Sequence, residues 1–225
     1  MKNSSMISMK YKELGNISVI VTSVIYFKDK KLSYSDKRST FNPEERLDQT
    51  KKTISSIREK IPQAKIYLFE QGTKDVSNQI SPLVDYYKYI GGNKIVRTTT
   101  DSPFKGVGEI IGLLFVSNSL TKETNTIFKI SGRYYLNENF DLDNWKNGIF
   151  IARKYGPLIS TRLYSFNEKF LNMWRICLIL SIPLTLLNIS IEKIMPILIP
   201  KKIIKGVECL GISGLVGING ETIDE

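Results

Sequence analysis

The sequence of 225 residues contains no histidine, and this absence excludes several kinds of catalysis. A nucleophile activated by imidazole, a zinc ion held by histidine and acid–base chemistry at an imidazole ring all require that side chain. Cysteine is scarce as well, since Cys177 and Cys209 are the only two and lie too far apart to form a metal or redox motif. We expect two buried free thiols in a reducing compartment. Catalysis must therefore use carboxylates, tyrosine, lysine or arginine.

Acidic residues are also in short supply. The chain has 22 Asp and Glu against 32 Lys and Arg, which gives a net charge of +10. Such an excess favours anionic partners, namely phosphates, nucleic acid or an acidic membrane surface. The lysines are scattered without a long basic run, and this distribution is typical of solvated surface. The hydrophobic fraction of 42% is enough for one domain with a substantial core.

Two segments bear on membrane association. Residues 1–15 are polar and lack the apolar core of a signal peptide. Residues 176–191 are strongly apolar, but they contain Pro183, are followed at once by Glu192 and Lys193, and are shorter than the roughly 20 residues of a spanning helix. We therefore expect a core helix in a cytoplasmic protein. Contact with the inner face of a membrane is the alternative, and the positive charge is compatible with it.

Apolar, β-branched segments alternate with helix-like ones through the first half of the chain. The predicted strands are residues 16–27, 65–70, 94–99 and 126–131. The predicted helices are residues 42–61, 76–89 and 102–120, the second with mixed character. Asn42, Pro43 and Glu45 have the pattern of a capping box at the start of the first helix. The alternation predicts an α/β fold with a mostly parallel central sheet flanked by helices.

The second half has a different pattern, which predicts a mixed C-terminal part. Residues 149–154 and 159–166 are predicted to form a hairpin that turns near Gly156. Helices are expected at residues 168–180 and 190–198. The tail, residues 206–220, is rich in glycine, which indicates close backbone packing or a ligand loop.

Two cations stand at the end of the predicted fourth strand, where ligands bind in open α/β sheets. Lys129 lies inside the apolar strand and needs a partner, either a substrate or a structural carboxylate such as Glu109. Arg133 follows Gly132 and has two interpretations, a bidentate phosphate clamp or a surface ion pair with Glu138 or Asp141. The pair of cations favours an anionic ligand at this edge.

Further candidates for the site lie on other predicted elements. Lys105, Gly106 and Glu109 occupy the first turns of a helix, where backbone amides bind anions. Glu109 either orients a sugar hydroxyl or pairs with Lys105 at the i,i+4 separation. Arg38 lies in the loop after the first strand and is either a nucleotide contact or ordinary loop polarity. Glu70 ends the second strand, where a carboxylate can contact a base or a ribose.

The order of these segments resembles the GT-A nucleotide-diphospho-sugar glycosyltransferases. The matching features are the strand–loop–helix–strand unit of residues 19–70 with its Glu45-Arg46-x-x-Gln49-Thr50 helix, the Lys105-Gly-Val-Gly-Glu109 segment, and residues 128–136 with Phe140. The ending, residues 211–220, is similar to that of small polysaccharide-type transferases. The resemblance implies one domain, with residues 16–136 binding a nucleotide sugar and residues 137–225 on the side of the acceptor. It also implies sugar transfer to a glycan or lipid-linked acceptor in polysaccharide biosynthesis.

The chain departs from that pattern at one place. Many GT-A enzymes have a DxD motif at the end of the fourth strand, where its carboxylates hold Mn²⁺ or Mg²⁺ against the donor diphosphate. This chain has Ile130-Ser131-Gly132-Arg133 there, and its only DxD is Asp141-Leu142-Asp143. Either Lys129 or Arg133, together with Lys105, neutralises the diphosphate, or a loop brings Asp141 and Asp143 to a divalent metal. We favour the cations.

The catalytic base must be a carboxylate, since there is no histidine. Glu109, Asp141, Asp143 and Glu221 all remain candidates, and the sequence does not choose among them. Two other functions stay open. A nucleic-acid- or phosphate-binding module without catalysis would explain the charge and would bind oligonucleotides with steep salt dependence. A peripheral membrane scaffold would use residues 176–191 as its contact.

Overall fold

The computed structural model describes residues 14–117, 119–120 and 124–225. Its strands are β1 Ile17–Ser23, β2 Lys65–Glu70, β3 Tyr86–Tyr89, β4 Thr126–Ser131, β5 Tyr134–Leu136, β6 Phe150–Tyr155, β7 Leu158–Asn167, β8 Ile204–Val207, β9 Ile212–Leu215 and β10 Thr222–Asp224. Its α-helices are α1 Pro43–Lys60, α2 Ser77–Ile80, α3 Lys94–Thr100, α4 Lys105–Ser117, α5 Leu171–Leu186 and α6 Ile191–Leu198. Short 3₁₀ turns cover Ser81–Leu83, Leu142–Trp145, Glu168–Phe170 and Lys201–Ile203. Nearly all of the predicted polar N-terminus, and part of the predicted end of the helix from residue 102, lie outside the described residues.

Seven strands form the central sheet, in the order β3-β2-β1-β4-β7-β6-β8. The first four pair in parallel, β7 runs antiparallel to both β4 and β6, and β8 pairs in parallel with β6. Strands β10, β9 and β5 form a small antiparallel sheet. The predicted α/β class, with a mostly parallel sheet and a mixed C-terminal part, is confirmed.

Helix α1 begins as its sequence predicts. The Asn42 side chain accepts from the amide of Glu45, and the Glu45 carboxylate accepts from the amide of Asn42, so the capping box is complete. The helix ends at Lys60, and its C-cap residue Ile61 stands directly before Pro62, which does not continue the helix. The helix packs on the sheet through Leu47, Ile54 and Ile57, and Arg46 in its first turn lies at the carboxyl ends of the parallel strands.

The third strand of the sheet is not where the sequence predicted it. Residues 94–99 form helix α3 instead, because Asn93 caps the amides of Ile95 and Val96 and overrides the β-branched composition. The strand is β3, in the segment for which mixed helical character was expected. It lies at the edge of the sheet and alternates between exposed and half-buried residues, so it lacks the apolar run of a central strand.

Hydrophobic residues pack on both faces of the sheet. Val19 and Val21 of β1 point to one face, which α1 and the small sheet cover, while Ile20 points to the other, which α4, α5 and α6 cover. This alternation follows from the period of two in a strand. Two packed faces leave the ends of the strands as the place for a site.

In the second half the hairpin of β6 and β7 is confirmed, and helix α5 extends further than expected, to Leu186. The tail forms β8, β9 and the turn that follows β9, and its close packing is confirmed at Gly211, where a Cβ atom would lie 2.2 Å from the Cα of Phe140. The ligand loop stays a prediction, because Val216 in that turn lines the larger cleft described below. The expectation of two buried thiols is half right, because Cys177 is buried but Cys209 is exposed.

Candidate functional site

A small cavity of about 90 Å³ lies at the carboxyl ends of β1, β2 and β4. Thr22 and Ser23 close it from β1, Gln71 from the residue after β2, and Ser131 from β4. Helix α1 and the first turns of α4 form its other walls. The predicted location of the site, at the carboxyl edge of the parallel strands, is therefore occupied by a real concavity.

Four cations line this cavity: Arg38, Arg46, Lys105 and Arg133. They repel one another. The proximity of Arg133, with burial and the other arginines, lowers the pKa of Lys105 to about 7. Burial, with Arg133, lowers the pKa of Arg46 to about 9. Positive charge gathered at this strength is unfavourable without an anion, so the cavity is suited to bind one.

Among the described residues, Glu109 is the one carboxylate on the cavity wall, and it already has a partner. The Lys129 ammonium lies 2.6 Å from a Glu109 oxygen and also donates to the carbonyl of Thr161 at 2.8 Å. Burial acts to raise the pKa of Glu109, but the Lys129 charge prevails and holds it below its ordinary value. Of the two partners left open for Lys129, the structure contains the carboxylate, so Lys129 balances Glu109 from behind the cavity.

The Arg38 side chain is buried and forms hydrogen bonds to the backbone. Its guanidinium donates to the carbonyls of Lys30, Thr100, Asp101 and Ser102. These bonds fasten the loop after β1 to the turn that precedes α4. Arg38 therefore adds charge to the cavity while its donors are engaged elsewhere.

Glu70 is fully buried inside the protein. It lines neither the small cavity nor the larger cleft that adjoins this cavity and is described below. Its carboxylate accepts from the amide of Ile25 at 2.9 Å, from the amide of Gly72 at 2.6 Å and from the Ser23 hydroxyl. The Ser23 and Ile25 hydrogen bonds hold the start of the loop that follows β1, which forms a cavity wall, and the Gly72 hydrogen bond holds the turn after β2. The contact with base or ribose that the sequence suggested does not match this placement.

The structure leaves little room for a side chain at Gly132 and Gly106, the two glycines that the sequence made candidates for the site. The amide of Gly132 donates to the carbonyl of Thr22 at 2.9 Å, and its own carbonyl accepts from the Thr50 hydroxyl at 3.1 Å. A Cβ at Gly106 would lie 2.6 Å from a methyl carbon of Thr185. Gly132 therefore joins the end of β4 to β1 and α1, and Gly106 brings α4 close to α5.

The DxD residues lie away from the cavity. Asp141 caps the 3₁₀ turn by accepting from the amide of Asp143 at 3.0 Å, and Asp143 pairs with Lys146 at 3.0 Å. Neither lines the small cavity or its neighbour, and neither does the exposed Glu221. In the part of the chain that the structure describes, no three acidic or cysteine side chains come together as a ligand set. These residues do not fit the divalent metal that the fold commonly holds at the end of the fourth strand.

A larger cleft of about 760 Å³ adjoins the cavity and shares Lys105, Glu109 and Arg133 with it. Its far wall is made by β7, the end of α5 and the start of α6. There Glu192 accepts from the Thr161 hydroxyl at 2.6 Å. Thr161 thus contacts both sides of the cleft, because its carbonyl accepts from Lys129, the partner of Glu109, and its hydroxyl donates to Glu192.

Two functional candidates were missed at the sequence level, although each carries a signal. Arg46 is the fourth residue of α1, where a cation opposes the helix dipole and so calls for another reason to be there. Glu192 is the one acidic residue between Leu171 and Val207. A single acidic residue in a long apolar segment likewise indicates a role other than packing.

The mostly parallel seven-stranded sheet, flanked by helices and with a cavity at the ends of β1 and β4, is a GT-A-like fold. No protein-family model and no curated protein matches the sequence. Among solved structures, the glycosyltransferase GlyE of Streptococcus pneumoniae TIGR4 is similar in its apo form, with a TM-score of 0.54 and 13% identity. Another GlyE structure gives 0.52 and 11%. Each alignment covers 86% of this chain and 45% of GlyE, so this chain spans less than half of that protein.

Proposed function

We propose that this chain is a glycosyltransferase that takes a sugar from a nucleotide-diphosphate donor. One observation carries the proposal: Arg46 from α1, Lys105 from α4 and Arg133 from the turn after β4 converge on one cavity at the ends of parallel strands. Three separate elements thus deliver positive charge to a single point. A diphosphate is the group whose charge and size such a cluster suits.

Sugar transfer makes the diphosphate a leaving group, and its growing negative charge must be stabilised. Arg46 and Arg133 supply fixed guanidinium charges, and Lys105 gains a full charge once an anion offsets its neighbours. The N-terminus of α4, which begins at Lys105, adds the positive end of a helix dipole. No step in this reaction requires a metal, since the chain's own cations meet the need for charge.

The acceptor occupies the adjoining cleft in this proposal. Glu109 and Glu192 both line it, and a carboxylate there can take the proton from an acceptor hydroxyl. Glu109 is neutralised by Lys129, which makes its carboxylate the poorer base. Glu192 has only the Thr161 hydroxyl as a hydrogen-bond donor among the described residues, so we assign the role of base to Glu192.

Titration calorimetry with UDP-glucose and GDP-mannose tests the donor site, with CMP-sialic acid, a donor with a single phosphate, as the comparison. We expect one of the two diphosphate donors to bind, and Arg133→Met to weaken that binding at least tenfold. Arg153→Met is the matched control, because Arg153 lines neither the cavity nor the cleft and packs over Tyr155 instead. The proposal fails if no nucleotide sugar binds with or without Mn²⁺, or if Arg133→Met and Arg153→Met behave alike. Oligonucleotide binding that weakens steeply with salt would instead favour a nucleic-acid module.

A further inference from the structure

Helix α5 carries an exposed apolar surface. Large apolar side chains on its outer side are between 43% and 71% exposed; we call them the apolar stripe, and they are Met173, Ile176, Ile179, Leu180, Leu186 and Leu187. Their spacing follows the helical period, so they form one face. A contiguous apolar face of this kind marks a surface that contacts something other than water.

The opposite face of α5 fixes its orientation. Trp174, Cys177 and Leu178 are buried in the core beneath it, so the helix lies flat on the body of the protein. The segment Glu168–Leu186 is the one helix in the described ranges that is long and apolar enough to cross a membrane, a test that core helices also pass. Crossing would pull the buried tryptophan and its neighbours out of the core, which excludes that arrangement for the folded chain.

Lysines flank the stripe in sequence. Lys169 precedes α5, and Lys193, Lys201 and Lys202 follow it on α6 and the next turn; all four are exposed. Ile197 on α6 is 77% exposed and is a further apolar side chain open to solvent in this part of the chain. From residue 171 to residue 207 the one acid is Glu192, which lines the cleft, and the exposed Glu168 and Glu208 lie just outside that range. We call the four exposed lysines the basic rim.

We propose that the apolar stripe and Ile197 dip into an acidic lipid surface, with α5 parallel to the membrane plane. Apolar side chains enter the boundary of the acyl chains, and the basic rim meets the anionic headgroups. A second copy of the chain is a poorer occupant, because it would bring two lysine-rich rims and two molecules of charge +10 together.

The contact lies beside the cleft. Thr185 and residues 188–192 line the cleft, while Leu186 and Leu187, between them in sequence, belong to the stripe. A molecule anchored in the membrane would therefore reach the cleft from the lipid surface. This last step rests on the proposed transfer function, and it makes the acceptor a lipid-linked one.

Flotation of the full chain with vesicles tests the contact. We expect flotation with vesicles of phosphatidylglycerol and phosphatidylcholine, little with phosphatidylcholine alone, and weakening by high salt. The double variant Ile176→Gln and Leu180→Gln should lower binding at least tenfold, because both side chains are about half exposed and leave the core intact. Leu83→Gln is the control, since Leu83 is 41% exposed on an element across the sheet.

Three results would overturn the proposal. They are a wild-type chain that stays in the bottom fraction of the gradient, a double variant that floats like the wild type, and a wild-type dimer in light scattering that is a monomer in the double variant. An unchanged melting temperature shows that the variant is folded. Nucleotide-sugar calorimetry on the same variant is an independent readout, so failure of the membrane contact and failure of the proposed transfer function can be told apart.

Discussion

Affinity for the donor should fall as pH rises above neutrality, because of Lys105. Its pKa is about 7 in the free protein, mainly through repulsion by Arg133. A bound diphosphate would return the pKa of this ammonium toward the ordinary lysine value. Binding therefore takes up a proton between these two values. The sign follows from linkage: the complex holds more protons than the free protein, so lower pH favours the complex.

The size of the effect follows from these pKa values. Lys105 is charged in about half of the free molecules at pH 7 and in about one tenth at pH 8. Affinity should therefore fall about 15-fold between pH 7 and pH 8.5 if the pKa in the complex stays above both. A sugar diphosphate donor does not titrate in this window, so the protein accounts for the change.

Calorimetry in buffers of different ionisation enthalpy measures this proton uptake directly. We expect about half a proton at pH 7, rising toward one at pH 8. Lys105→Met should bind more weakly at neutral pH and show a flat profile. Lys37→Met, on an exposed loop, is the control and should keep the slope. Affinity that does not change with pH in the wild type, or a slope that persists in Lys105→Met, would refute the assignment.

Three more outcomes can be measured. Lys129→Met should cost about 3–5 kcal/mol in urea unfolding at pH 7, because it leaves the Glu109 carboxylate unpaired, and Glu109→Gln added to it should recover part of that loss. That stabilisation is present above the ordinary pKa of Glu109 and disappears as pH falls through its lowered folded value; a loss unchanged at acid pH would contradict the pairing. EDTA should change nucleotide-sugar affinity less than about twofold, whereas a large loss would return Asp141 and Asp143 to consideration. Glu192→Gln should lower turnover about 10²-fold or more in an activity assay with donor affinity intact; normal turnover would shift the role of base to Glu109.

Sequence reasoning succeeded where the determinants are local. The first helix is specified by Asn42 and Glu45 within four residues, and β2 and β4 are apolar runs buried between neighbours on both sides. It failed at residues 94–99, where the β-branched composition predicts a strand. The capping side chain of Asn93 favours a helix there instead. It failed again at β3, because an edge strand needs only one partner and carries no apolar run.

The residues of the site, like the elements of the fold, could be predicted only in part from the sequence. Lys105 and Arg133 could be placed by topology alone, since the ends of parallel strands and the helices that follow them meet at one edge. The structural role of Glu70 could not be predicted from the sequence, because it depends on a loop that folds back onto the strand. Glu192 joins the cleft only through the packing of α6 on β7, which no local pattern specifies.

The cation cluster and the missing acids at the end of β4 are one feature. A divalent ion at that place would add two positive charges beside Arg46, Lys105 and Arg133, which already repel one another enough to lower the pKa of Lys105 to about 7. We therefore expect the cations to take the place of a metal in stabilising a leaving diphosphate in this cavity of about 90 Å³. Where many GT-A enzymes have aspartates and a metal, this chain has Ser131, Gly132 and an arginine. Ser131→Asp alone should not create metal-dependent binding. It should create such binding only when the neighbouring cations are neutralised as well.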